Sequence, residues 1–376
     1  MSRHPFTTPV GTTDEAYQEE ILPHVSRTFA LTIPQLPEGL RSAVTSAYLL
    51  CRIADTIEDE PALSAADTHV FLERFTAVVK GTEDGARLAQ ELVPRLSERT
   101  LPAERELVAN MERVVRVVGG FDERQRAAIR RCIEVMSRGM HQFQRTASLR
   151  GLARSSDMDA YCYYVAGIVG ETLTELFCAY SPAIRRHYEA LYELAPSFGQ
   201  GLQMTNILKD VWEDRSRGAC WLPQEVFSRH GVDLAQLSAT GSDERFHAGM
   251  LELVGVAHRH LRNALAFTLL IPGKETGIRL FCLWALGLAA LTLRKIQTTP
   301  GFTGGAQVKV SRSAVMMTRT LTTMSVRNDR VLRQLFERAA RGLPLAEGPV
   351  PAKPAAVRAA ALDELGASTR LGGSLP

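Results

Sequence analysis

Residues 47–60 read AYLLCRIADTIEDE, and residues 201–214 read GLQMTNILKDVWED. On a helix, side chains four apart share a face. In the first stretch this places Tyr48, Arg52, Asp55 and Asp59 in one row and Leu49, Ile53 and Ile57 in a separate apolar row. In the second, Gln203, Asn206, Asp210 and Asp214 form a similar row beside Glu213, with Met204, Ile207, Leu208 and Val211 on the greasy side. Both stretches end on Asp-x-x-Glu-Asp. Like charges one turn apart weaken a helix by roughly 0.2–0.5 kcal/mol per pair. One such cluster reads as a solvated helix face. Two copies with identical spacing, each followed by basic residues, read as a site for something positive.

Working outward, helical periodicity recurs over residues 42–59, 124–141, 159–180, 197–214 and 246–270, while strand signals are scarce. Pro and Gly fall mainly between these segments, as in LPEGL, VVGGFDE, RGACWLP and IPGKETG. The expected fold is all-α, a single helical bundle over residues 15–342, with a flexible N-terminus over 1–14. From residue 343 Pro, Ala and Gly dominate, predicting a mobile tail to residue 376 with one short helix near 355–365. In the helical pattern of 159–180, Gly167 and Gly170 permit a kink, a close approach of substrate, or close helix packing.

The chain has 376 residues, 45% hydrophobic and 23% charged, enough for a full core. A net charge of +3 spread along the chain makes no case for nucleic acid, and no protein partner is evident. Six cysteines without a C-x-x-C pair read as buried free thiols in a reducing cytosol. The N-terminus lacks the apolar core of a signal peptide. The most apolar window, residues 280–293, is shorter than the ~20 residues a bilayer requires and reads as a buried helix. The expectation is a soluble cytoplasmic protein with at most peripheral membrane contact. The HRH run at His258–His260 lacks the spacing of two metal-ligating histidines on one face and reads as a solvated surface.

Oxygen-only donors suit Mg²⁺, with Mn²⁺ as a substitute, because Mg²⁺ keeps waters and bridges carboxylates to phosphate oxygens. The expected occupant is Mg²⁺ with a diphosphate between two facing helices. Arg27, Arg52, Lys209 and Arg215 or Arg217 are the cations near enough in sequence to help. No G-x-x-x-x-G-K-[ST] loop is present, which argues against an ordinary nucleotide kinase or phosphatase.

Five blocks in order resemble the squalene and phytoene synthase family: VSRTFALTI, AYLLCRIADTIEDE, YCYYVAGIVGETLTELF, GLQMTNILKDVWEDRSRGACWLP and LFCLWALGLAALTL, spanning Val25 to Leu293. The resemblance implies an isoprenoid synthase fold around a central apolar cavity. By it, Asp55, Glu58, Asp59, Asp210, Glu213 and Asp214 are metal ligands. Ser26, Arg27, Arg52, Asn206, Lys209 and Arg217 fall at diphosphate-binding positions. Tyr161 matches the family tyrosine of the first condensation, and Phe29, Tyr48, Tyr164 and Phe281 are candidates to line the cavity and steady a carbocation.

Within the family, YCYYVAGIVG, DTIEDE and the later GAQVKVSRSAVMM look like the squalene branch. That branch joins two farnesyl diphosphates to presqualene diphosphate and reduces it to squalene with NADPH. The last block resembles a segment associated with the cofactor, which implies Arg27, Arg52, Lys209, Lys309 and Arg312 as NADPH-binding residues without a Rossmann domain. The chain departs from the squalene pattern in three places: Ser311 replaces an Arg, Lys209 replaces an Arg, and Ala285-Leu286 replace Pro-Gln. No hydrophobic C-terminal anchor of the eukaryotic kind is present. The alternatives are a dehydrosqualene or phytoene synthase that needs no reductant, and an inactive scaffold that kept the fold.

Overall fold

The computed structural model describes residues 12–26, 28–145, 147–238 and 243–348. Its main helices are α1 (Asp14–Val25), α2 (Glu38–Glu58), α3 (Ala65–Lys80), α4 (Glu123–Gln144), α5 (Ser155–Cys162), α6 (Ile168–Tyr180), α7 (Tyr188–Lys209), α8 (Val211–Ser216), α9 (Glu244–Leu270), α10 (Thr276–Thr298), α11 (Arg312–Ser325) and α12 (Asp329–Ala339). Among the described residues there is no strand, only an isolated bridge between Leu152 and Pro223. The all-α expectation holds.

Local chemistry starts and stops these helices. Ser64 and Asp67 form a reciprocal capping box at the start of α3, and Asp122 and Gln125 do the same for α4. Gly81, at φ 79°, closes α3 in the left-handed region that a side chain would disfavour. Helix α7 runs through the middle of the bundle, packed on α6, α9 and α10. Glycines set how closely it lies. A Cβ at Gly170 would sit 1.9 Å from the Ala195 carbonyl oxygen, and one at Gly199 would sit 1.9 Å from that of Ala166. Close helix packing is therefore the reason for Gly170.

Two segments expected to be continuous helices are interrupted. Residues 159–180 pass through a π-helical turn, Tyr163–Gly167, between α5 and α6. Such single turns recur at functional sites because they re-aim the side chains around them. Residues 197–214 break at Asp210, whose φ of −99° and ψ of 17° separate α7 from α8. The polar row from Gln203 to Asp214 thus bends at its third member.

Two further expectations change. His258 and His260 are buried rather than solvated: His258 Nδ1 pairs with the Pro344 carbonyl at 2.8 Å, and His260 Nδ1 with Ser197 Oγ at 3.2 Å. The helix carrying them is covered on one side by α7 and on another by the chain after α12. There Leu343 is buried, and the Ala346 N–H donates to the Gly255 carbonyl at 3.1 Å. The ordered body therefore runs past residue 342; the rest of the expected tail and its short helix, and residues 1–11, lie outside the described residues. Helix α10 has 23 residues with mean hydropathy 1.7, long and apolar enough to cross a bilayer, but its most apolar window is 67% buried. It serves as a core helix, as expected of residues 280–293. All six cysteines are free and buried.

Candidate active site

The α2 helix presents its apolar row to the core, with Leu49, Ile53 and Ile57 fully enclosed, and this aims the opposite row at a cavity of about 600 Å³. Arg52, Asp55, Glu58 and Asp59 line it from α2, and Asp214, Arg217 and Trp221 from the segment after α8 begins. Arg217 joins the two acidic motifs. Its guanidinium lies 2.5 Å from Asp214 Oδ1 and 3.6 Å from Asp59 Oδ2. Asp214 of the second cluster thus shares one chamber with Asp55, Glu58 and Asp59 of the first.

Burial in this chamber, with like charge adding to it at Asp55, Glu58 and Asp214, raises the carboxyl pKa values. Asp55 is pushed up to about 6 by burial, with Asp59 and Glu104 adding to the rise against Arg52. Asp214 also reaches about 6, by burial first and by Asp210 and Asp59, with Arg217 opposing. Burial and the neighbouring Asp59 and Asp55 lift Glu58 well above the usual range. Asp59 moves the same way through burial, although its side chain is 61% open to solvent within the crevice, which softens the effect. Glu58 Oε1 is buried with no hydrogen-bond partner. A buried acceptor without a donor, among carboxylates that resist ionising, is the environment a hard cation would relieve. Among the described residues no three carboxylate, imidazole or thiol groups converge into a ready-made cage.

The second motif divides its labour at the Asp210 break. Asp214 faces α2, whereas Asp210 pairs with Lys209 at 2.7 Å, and Glu213 Oε1 accepts the Gly305 N–H at 2.8 Å. The Trp212 indole N–H donates to the Phe302 carbonyl at 2.7 Å, so residues 302–305 are tied across α8. Lys309 and Arg312 follow on this segment, both exposed. Asn206 is exposed one turn before Asp210 and accepts its N–H at the backbone carbonyl.

The predicted aromatic residues fall into two groups. Phe29, Tyr48 and Phe281 cluster, with ring centroids 5.1 Å apart for Phe29–Tyr48 and 6.3 Å for Phe29–Phe281. Ser26 Oγ accepts the Phe29 N–H at 3.0 Å, which fixes the turn carrying that ring. The Arg52 guanidinium donates to the Tyr48 hydroxyl at 3.3 Å and lies 3.7 Å from Asp55, linking this cluster to the carboxylates. Tyr161 belongs to the other group. It packs on Phe143 and is held well above the ordinary tyrosine pKa by burial and by Glu58, Asp59 and Asp214, so it remains a neutral phenol. Tyr163 instead donates to the buried carboxylate of Glu171 at 3.1 Å and serves the core, while Tyr164 packs on Phe143. Arg27 lies outside the described residues.

Sequence reasoning missed Trp221. It stacks on Tyr161 and lines the cavity with both motifs. The Leu152–Pro223 bridge positions it, with the Leu152 N–H donating to the Leu222 carbonyl at 2.9 Å. The signal was its place directly after the second motif in RGACWLP. Glu60, the last residue of DTIEDE, has a structural task instead: it is buried and accepts from the Ala62 and Ser97 N–H groups and the Thr100 hydroxyl.

A family profile described as Squalene/phytoene synthase matches residues 22–314, which hold both acidic motifs, Tyr161 and Trp221. The chain belongs to that family. It is a prenyltransferase. Squalene synthase ERG9 of Candida albicans is 28% identical over 330 residues, covering 85% of this chain and 70% of the fungal one. In fold, TcSQS in complex with the ligand BPH1237 matches with a TM-score of 0.68 at 23% identity, over 88% of this chain and 98% of its own. A dehydrosqualene synthase in complex with a ligand matches with a TM-score of 0.58 at 20% identity, over 86% and 96%. The isoprenoid-synthase fold expected of a squalene/phytoene synthase is thus the fold observed.

Proposed function

We propose that the chain is a squalene synthase, joining two farnesyl diphosphates head to head to presqualene diphosphate and reducing that intermediate to squalene with NADPH. The observation that carries the reading is Arg217, which bridges Asp59 of the first motif and Asp214 of the second beside Tyr161. Opposed carboxylates around one chamber can hold the diphosphate end of a prenyl substrate through metal ions, while Arg217 and Arg52 neutralise its remaining charge. Magnesium, when bound by Asp55, Asp59, Asp214 and their neighbours, supplies the Lewis acidity that stabilises a departing diphosphate. NADPH, when bound, supplies hydride, and the basic Lys309 and Arg312, on the segment tied to Glu213, are its proposed contacts.

The protein's own groups do the rest. Trp221 and Phe143 enclose Tyr161 and keep water from the reacting carbons. The neutral Tyr161 phenol can donate a hydrogen bond toward the leaving diphosphate but is a poor base, which assigns it a positioning role at this end of the chamber. Phe29, Tyr48 and Phe281 offer ring faces that stabilise positive charge on carbon without reacting. The competing reading, a dehydrosqualene or phytoene synthase, uses the same carboxylates and no reductant. A relative kept only as a scaffold would not need six intact acidic residues.

Product analysis separates these readings. The full chain is incubated with farnesyl diphosphate and Mg²⁺, with and without NADPH. Squalene that depends on NADPH is the expected result. Dehydrosqualene despite ample NADPH, or turnover of geranylgeranyl diphosphate alone, would replace the proposal with its competitor.

A further inference from the structure

A third wall of the carboxylate chamber comes from neither acidic motif. Arg99 and Thr100 line it from a turn, and Glu104 from the short helix Pro102–Ala109 that follows. Two side chains hold this turn in place. Glu60, only 3% exposed, accepts the Ser97 N–H at 2.9 Å and the Thr100 hydroxyl. The half-buried Arg105 donates to the carbonyls of Val93 at 2.8 Å, Leu96 at 3.0 Å and Ser97 at 2.8 Å. Ser97 closes the turn itself: its carbonyl accepts the Thr100 N–H at 3.1 Å, and its Oγ accepts the Arg99 N–H at 3.3 Å. The backbone on either side of Arg99 is therefore fixed, whereas its side chain is exposed along the chamber.

The other two arginines of the chamber are engaged by carboxylates. Arg52 stands 3.7 Å from Asp55 and 3.9 Å from Glu104, and Arg217 pairs with Asp59 and Asp214. Arg99 forms no ion pair among the described residues. Its charge is left for an incoming anion, and a guanidinium fork matches phosphate oxygens better than a point charge does. We propose that Arg99 is a further diphosphate-binding residue of this chamber, and that Glu60 is the positioning residue that holds it there. The last acidic residue of DTIEDE then serves the same anion as the rest of that motif, through a turn some forty residues further along the chain. A turn fixed before the anion arrives gives up less freedom on binding. The inference rests on the diphosphate reading of the chamber given above, and adds to it a cation from outside both motifs.

The test is calorimetric titration of the full chain with inorganic pyrophosphate and Mg²⁺, beside steady-state kinetics on farnesyl diphosphate. Arg99→Gln should weaken pyrophosphate binding and raise KM by about tenfold, with kcat changed by less than about twofold. It should also flatten the fall of binding with salt, since an exposed cation is lost. Arg99→Lys should recover part of the affinity, because it returns the charge without the fork. Thr100→Val removes one hydrogen bond to Glu60 and should weaken pyrophosphate binding by about threefold. In the Arg99→Gln background the same change should cost nothing further, because it acts through Arg99. A full additional loss in that background overturns the positioning role of Glu60. Wild-type affinity and salt dependence in Arg99→Gln, while Arg217→Gln still binds weakly, overturn the assignment of Arg99 alone. If neither variant loses affinity, or the wild type binds no pyrophosphate, the diphosphate reading of the chamber falls with it.

Discussion

The indole of Trp221 lies flat on the phenol of Tyr161, with ring centroids 4.1 Å apart and planes 8° from parallel. Tyr161 stands on α5 and Trp221 on the loop after α8, and the two segments are joined by backbone pairing of Leu152 with Leu222 and Gln224. The stack sets the direction in which the Tyr161 hydroxyl points. Trp221→Leu removes a ring face while keeping apolar volume, and should lower kcat by about tenfold with a smaller change in KM. Trp221→Phe should recover most of the loss. Steady-state kinetics on both variants, with near-ultraviolet circular dichroism to confirm folding, check this; a Leu variant of unchanged kcat would remove Trp221 from the site.

Arg217 pairs with a carboxylate of each motif. Replacing it with Gln leaves Asp59 and Asp214 facing each other without the intervening charge and removes a cation for the diphosphate. The Arg217→Gln variant should raise KM for the prenyl diphosphate about tenfold, and Arg217→Lys should restore only part, because an ammonium cannot span two carboxylates as a fork does. Substrate titrations at saturating Mg²⁺ read the difference.

The raised carboxyl values make the metal-free protein sensitive to pH in a definite direction. Asp55 and Asp214 move from 3.8 to about 6 on folding, so the folded state holds protons more tightly than the unfolded chain does. Stability from these groups is present in full below 3.8 and lost as pH rises through about 6. The melting temperature without metal should therefore fall between these values, and added Mg²⁺ should raise it more at the upper end than at the lower. Scanning calorimetry of the wild type and of Asp55→Asn/Asp214→Asn measures it; the double variant should show a flatter profile over this window.

Gly170 offers a test of the packing. With the Ala195 carbonyl oxygen 1.9 Å from where a Cβ would stand, Gly170→Ala must push α6 away from α7 or bend one of them. The expected cost is about 3 kcal/mol or more, well beyond the gain in helix propensity. Urea unfolding of the variant reads it directly, and a midpoint equal to the wild type would show that the two helices separate freely.

The acidic motifs were legible because a carboxylate cluster repeated at fixed spacing beside apolar rows has few uses other than charge binding. Trp221 was not, since a lone aromatic after a Gly-containing turn is ordinary in any core, and it takes the long-range pairing around Leu152 and Pro223 to bring it against Tyr161. The histidines at 258 and 260 went wrong for a related reason. A polar run on a long helix reads as exposed until α7 and the Leu343–Ala346 segment are seen to cover it.

By itself, the amino-acid sequence determined the all-α architecture, the two acidic motifs and the apolar faces that turn them inward, because helical periodicity and side-chain type are local properties of the chain. Tertiary structure alone decided that Asp214 faces Asp59 while Asp210 and Glu213 turn to Lys209 and Gly305. That division follows from one backbone break at Asp210, where burying Val211 and Trp212 and satisfying opposed charges compete, and no local pattern announces how such a competition ends.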